Sequence, residues 1–281
     1  MLRDIRELMD DQEAYAAELQ QRWGGLLSYR YIGRNHASMN TGPVDETVTL
    51  RHDLRDATGG MLLSMLMIAS PEGGAVSDLD AVPNPVVHAC HILDPARDVK
   101  RIEVRSEQLR RGRQMAYSRS LIVDADDPSR VLALTEGQGA ILGVPPEGLE
   151  KMDVEPIDIV DSPDLPPLWS VFGGSRRDDG HWALAALATE LASPDGALHI
   201  GPQAVILETA AAEMAAEVAG TAVRGVASHV MFLARGKVGP FRVDGDAFAG
   251  PDDTVLARVL LRDEGSDDLT VSTGTYTFRA D

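Results

Sequence analysis

The chain of 281 residues contains one cysteine, Cys90, so no disulfide can form within it. Aromatic residues make up 5% of the sequence, which gives no hint of a pocket for an aromatic ligand. No stretch is long and apolar enough to span a bilayer. The first residues, Met1-Leu2-Arg3-Asp4-Ile5-Arg6-Glu7, lack the apolar core of a secretion signal. These absences lead us to expect a cytoplasmic protein. There is no Gly-x-Ser-x-Gly element, which disfavours an ordinary serine hydrolase. Gly59-Gly60 and Gly173-Gly174 lack the pattern of a phosphate loop. His88, Cys90 and His91 are close in sequence, but neighbours at 90 and 91 in a strand face opposite ways, and no second ligand cluster accompanies them. Neither a metal nor a cofactor is expected.

Positive charge is scarce. Lys and Arg number 26 against 44 Asp and Glu, for a formal net charge of −18. That balance opposes nonspecific binding to nucleic acid or to an anionic membrane, because phosphates are repelled overall. Local clusters can still meet a small anion. Arg110, Arg111 and Arg113 form one candidate cluster, and Arg235 with Lys237 another, although charges at strand ends are more often simply solvated. Arg113, Arg235 and Lys237 are carried forward as candidate substrate-binding residues.

Against these absences stands a segment present twice. Thr58-Gly59-Gly60-Met61 leads into an apolar helix, and so does His199-Ile200-Gly201-Pro202. Strand-like stretches follow each helix in the same order: 99–104 and 114–124 in the first copy, 238–243 and 255–263 in the second. A last strand in each contains Gly137 or Gly274. Corresponding positions lie 137 to 141 residues apart, so pattern and order, more than identity, mark an internal duplication.

The spacing of Ile5, Leu8, Met9, Ala16, Leu19 and Trp23 predicts an amphipathic helix over 1–24, ended by Gly24-Gly25. Residues 26–57 read as strands and loops, with Tyr29 and Tyr31, then Val48 and Leu50, in alternation. The first helix, from Met61 to about Ser70, is apolar on nearly every face and belongs in an interior. Pro71 and Gly73-Gly74 are its expected stop. Residues 143–168, rich in Pro and Asp, read as an ordered surface connector. A strand, a loop through Gly173-Gly174 and a short helix carrying Trp182, Leu184 and Leu187 should open the second unit. Its central helix should begin near Pro202 and stop at Gly220. The domains expected are therefore an N-terminal extension over 1–43, a first repeat over 44–142, the connector over 143–168 and a second repeat over 169–281. Each repeat would be an antiparallel sheet wrapped round one helix, an α+β arrangement. Two copies can join edge to edge and cover the edge that either alone would leave unpaired.

This order resembles the hotdog fold, and the chain as a whole resembles a tandem, double-hotdog pseudo-dimer. The helix start looks like the acyl-CoA thioesterases of the phenylacetate-pathway (PaaI-type) group, in which a His-Gly-Gly turn precedes an apolar helix with a carboxylate nine positions after the histidine. His199, Gly201 and Glu208 match the histidine, second glycine and carboxylate, while Ile200 replaces the first glycine. Gly112-Arg113 before a strand ending in Asp124 also looks like the family's sheet. The first copy keeps Gly59 and Gly60 but has Thr58 and Met67 at the histidine and carboxylate positions, so a methionine stands where a proton acceptor is needed. The resemblance implies hydrolysis of an acyl-CoA or another acyl thioester, with the site between the two units.

Thioester hydrolysis needs a base or nucleophile near the carbonyl carbon, and donors aimed at the oxygen that turns negative. The sequence reading assigns the first role to Glu208, whose burial would raise its pKa. The second falls to the backbone amides of Ile200 and Gly201 at the helix N-terminus, with His199 shaping the turn. Glu213 and Glu217 are expected to be solvated, and His229 to be an interior histidine. The alternative is a hotdog protein that binds acyl groups or acts structurally without catalysis. A hydratase or dehydratase ranks lowest, since the Asp and His motif of those enzymes is not found. Association of two chains remains open.

Overall fold

The structure, a computed structural model, describes residues 2–35, 45–70, 83–141 and 154–280. The stop expected at Pro71 and Gly73-Gly74 lies outside them, as do the expected repeat boundaries at 43–44 and 142–143.

Eleven strands form one antiparallel sheet among the described residues. They are β1 (Asp45–Thr49), β2 (Pro83–Ile92), β3 (Arg101–Arg111), β4 (Met115–Asp124), β5 (Val131–Ile141), β6 (Gly174–Arg176), β7 (Trp182–Leu184), β8 (Val223–Phe232), β9 (Phe241–Ala249), β10 (Thr254–Asp263) and β11 (Leu269–Ala280). Their order across the sheet is β1-β3-β4-β5-β2-β8-β11-β10-β9-β7-β6. Counted outward from the central β2–β8 pair, each half therefore repeats one connectivity, with β7 to β11 standing for β1 to β5. At that pair Ala89 lies opposite His229 and Val87 opposite Met231. Ala89 and His229 are 140 residues apart in sequence, within the repeat offset, so each faces its own counterpart across a pseudo-twofold axis. Joined this way, neither half leaves its long central strand as an exposed edge. The architecture is α+β, a double hotdog.

Five helices accompany the sheet among the described residues: α1 (Gln12–Gly24), α2 (Leu27–Ile32), α3 (Leu63–Ala69), α4 (Leu168–Val171) and α5 (Ile200–Ala219). Every residue of α3 is buried. The second central helix, α5, packs on β8, β9, β10 and β11 and against α3, burying Val205, Ile206, Leu207, Ala210, Ala211 and Ala215. Gly220 ends it at φ 71°, a left-handed conformation in which glycine avoids the steric cost of a Cβ.

Three local expectations are corrected. The N-terminal helix is not continuous: a 3-10 turn over Ile5–Leu8 precedes α1, because Asp4 and Asp11 each offer a side-chain acceptor that starts a new helix, to Arg6 N and Ala14 N. Tyr29 and Tyr31 sit in α2, not in a strand. Gly33 closes that helix at φ 89°, and the Arg34 guanidinium lies 4.4 Å over the Tyr29 ring, contacts that outweigh a modest strand propensity. Trp182 and Leu184 lie in β7, which pairs with β9 rather than coiling into a helix.

Candidate active site

Glu208 lies eight residues beyond the start of α5, about 12 Å along the helix at 1.5 Å per residue. Its carboxylate is not brought to the amides of Ile200 and Gly201. It crosses instead to the other half. Oε1 accepts a hydrogen bond from Leu63 N at 2.8 Å and Oε2 from Ser64 N at 2.7 Å. These amides open α3, whose N-cap residue, Leu62, has no capping side chain of its own. Glu208 thus caps the opposite helix, where a negative charge is favoured. The side chain is buried, at 4% exposure. Burial pushes its pKa up to about 7; Asp56 adds to the rise, while the hydroxyl and amide of Ser64 and the amide of Leu63 oppose it.

The chain entering α3 is a tight turn built on Asp56. Its Oδ1 accepts from Thr58 N at 2.8 Å, Thr58 Oγ1 at 2.8 Å and Gly60 N at 3.0 Å. Gly59 has φ 84°, and a Cβ on Gly60 would come within 3.3 Å of Pro95. Burial raises the Asp56 pKa, its hydrogen bonds to the turn working against that rise. The sequence reading did not single out Asp56. The available signal was an Asp two residues before Thr-Gly-Gly, since Asp side chains readily accept from amides just downstream. The two repeats are therefore complementary: the first retains the double-glycine turn and the second retains the carboxylate.

The mirror position is closed. His199 is the N-cap of α5, and its Nδ1 accepts from Gly201 N at 3.3 Å. The same nitrogen lies 3.1 Å from Ser28 Oγ, and Tyr29 meets the ring edge-on with centroids 5.0 Å apart. A Cβ on Gly201 would stand 2.6 Å from Ser28 Cβ and 3.2 Å from Ile68 Cγ1. Helix α2 thus occupies the space in front of this helix end, and the Gly201 amide is already engaged. Ile200 is buried in the core. Burial lowers the His199 pKa to about 3, with Arg235 and Arg34 adding to the effect, so the imidazole is neutral at pH 7.

The candidate cationic residues lie elsewhere. Arg235 binds Asp195 at 2.5 Å, Ser193 Oγ at 2.6 Å and Asn84 Oδ1 at 2.7 Å. Lys237 Nζ binds Asp4 Oδ2 at 2.9 Å. Arg113 is exposed in the β3–β4 turn, in a shallow depression with Leu109, Arg110 and Tyr117. None of the three lines the cavity beside Glu208. Two further expectations fail. Glu213 is held by Trp182 Nε1 at 2.9 Å and Arg176 at 2.8 Å rather than freely solvated, and His229 is exposed because its strand face turns outward. His88 is buried and donates from Nε2 to Ser70 O at 3.0 Å. Cys90 is also buried, whereas His91 is exposed.

A cavity of about 510 Å³ opens beside Glu208, within the size range of small-molecule pockets. Helix α5 supplies one wall, with Val205, Glu208, Thr209, Ala212, Glu213 and Ala216. Leu62, Ser64 and Asp56 come from the first repeat, and Pro163, Leu165, Pro167, Leu168 and Trp169 close over it from the connector and α4. Trp169 is braced edge-on by Trp182 at 5.0 Å. At the rim, His52 Nδ1 meets Asp161 Oδ1 at 2.9 Å.

This combination, two hotdog units in one chain with a buried carboxylate at their junction, defines the structural class. No protein-family model and no curated protein sequence matches the chain. Solved structures do. The tesB protein of Mycobacterium avium subsp. paratuberculosis is similar with TM-score 0.58 and 12% identity over 84% of this chain and 92% of that one. An acyl-CoA thioesterase II, TesB2, from Mycobacterium marinum has TM-score 0.56 and 11% identity over 84% and 93%. A conserved protein from Alicyclobacillus acidocaldarius described as having the hot dog fold has TM-score 0.51 and 12% identity over 93% and 97%. Each match spans more of this chain than one repeat could supply. The likeness is one of fold. No helix among the described residues is long and apolar enough to cross a membrane.

Proposed function

We propose that this protein hydrolyses an acyl thioester, an acyl-CoA in the first instance, at the single site where Glu208 meets α3. The observation that carries the reading is the Glu208 carboxylate itself, buried in a cavity wall and poised with a pKa of about 7. A general base works best when its pKa lies near the working pH. Similarity to structures called thioesterases supports the choice of reaction. The carboxylate-bearing helix is the feature shared with the PaaI-type group, and the tandem arrangement is shared with the TesB structures. The repeats over 44–142 and 169–281 act as one unit in this reading.

Glu208 takes a proton from a water molecule as the water oxygen attacks the carbonyl carbon. The carbonyl oxygen, now negative, is met by the Leu63 amide once Glu208 Oε1 yields it, while Ser64 N retains the other carboxylate oxygen. The C–S bond then breaks, and the proton held by Glu208 passes to the thiolate. The products are a carboxylic acid and a free thiol.

Thiol release across a panel of short, medium, long and aromatic acyl-CoAs tests this. Turnover is expected for some members, and Glu208→Gln and Glu208→Ala should each lower the rate about a hundredfold or more. A second reading, an acyl-binding protein without turnover, is favoured by one observation: Glu208 engages both α3 amides, so a donor must be vacated before it can serve the substrate. Saturable acyl-CoA binding with no thiol release from any substrate would select that reading.

A further inference from the structure

Glu208, Ala212 and Ala216 are spaced by four and share one face of α5, and all three line the cavity. The two alanines leave a shallow groove that starts at the carboxylate. Leu165, Leu168 and Trp169 form the wall opposite. The polar lining from the first repeat, His52, Asp53, Arg55, Asp56 and Ser64, lies in or before the first turn of α3, and α5 itself adds Thr209 and Glu213. We propose that this groove takes the acyl part of the substrate as an extended alkyl chain of about ten carbons, laid along α5 beneath the connector, with Ala212 and Ala216 setting its usable length. The placement of the carbonyl rests on the hydrolase reading; the path of the chain rests on the cavity.

The length follows from geometry. Glu208 to Ala216 is eight residues, about 12 Å of helix. An extended chain advances about 1.2 Å per bond, as the reach of the polypeptide backbone shows, so the groove spans about ten bonds. Ala212 stands at half that distance, about five bonds out. Both alanines are only partly buried, whereas Ala215 is buried and faces the sheet side. Both sit at the margin of the core and line the cavity, so leucine at 212 or 216 extends into the groove.

The test is kcat/KM for saturated acyl-CoAs of four to sixteen carbons. The wild-type value is expected to rise with chain length and level off near ten carbons. Ala212→Leu should lower it about tenfold or more for substrates of eight carbons and longer, while the four-carbon substrate stays within about threefold. Ala216→Leu should spare substrates up to eight carbons and affect those of ten and more. An equal loss at every length, or an unchanged profile, would overturn the proposal. A second measurement does not depend on turnover. The neutral probe 1-decanol should change Trp169 fluorescence saturably, with the response missing in Trp169→Phe and weakened in Ala212→Leu. No saturable response would overturn the chain's path. Saturable binding without hydrolysis of any thioester would keep the groove and remove the hydrolase reading.

Discussion

At the scale of single residues, Glu208 is the base in the proposed hydrolysis, and its charge state would govern turnover as well as stability. The base must be ionised, so turnover should rise with pH through about 7 and flatten above it. Ser64 favours the ionised form, so Ser64→Ala should move this limb to higher pH, read from a pH–rate profile of kcat/KM. The effect on stability has the opposite sign. A carboxyl whose pKa is higher folded than unfolded binds more protons in the native state, so its contribution to stability is present below about 4.5 and is lost as pH rises towards 7. The sequence singles out Glu208 because nine-residue spacing from a turn is visible in one dimension, and the structure places its carboxylate where the two halves meet. The sequence did not show which helix end the carboxylate meets. Ile200 and Gly201 precede Glu208 on the same helix, and a helix cannot fold back on itself to bring them together. Leu63 and Ser64, 145 and 144 residues away, are reached only through the pairing of the repeats.

At the scale of elements, the two helix N-termini have diverged. The α3 end faces a cavity and receives a carboxylate; the α5 end faces α2 and receives a histidine cap. Met67, buried in α3, therefore belongs to packing. Met67→Ala should cost about 2–5 kcal/mol in a denaturant titration and leave turnover near wild type. A turnover loss matching that of Glu208→Ala would refute the division of labour. The apolar sequence and glycine stops of α5 made that helix legible in advance, as did the strands that end in turns. The role of α2 was hidden. Its tyrosines alternate as in a strand, and the contacts that favour the helix are distant in sequence or invisible to a period: Tyr29 with His199 and Arg34, Tyr31 with Phe172 and Arg51. Trp182 was misread for a related reason, since a three-residue strand such as β7 is too short to show a period.

At the scale of the molecule, buried histidines set an acid limit. Burial depresses His88 to about 4 and His199 to about 3. Unfolded, both titrate near 6.5, so the stability they confer is fully present above that pH and is lost as pH falls through their folded values. For His88 alone the shift corresponds to about 3 kcal/mol. Unfolding by acid should therefore be marked between pH 6.5 and 3, and variants replacing either histidine by a neutral polar residue that keeps the fold should show a shallower loss in thermal melts across that range.

The seam at Ala89 and His229 lies within one polypeptide, so the halves meet as an intramolecular event. Their encounter is first order and cannot be reversed by dilution, unlike the assembly of two separate subunits. If the proposed hydrolysis holds, specific activity should accordingly stay constant as protein concentration is lowered. Because each chain holds one of each half in fixed arrangement, the halves are free to specialise in opposite directions.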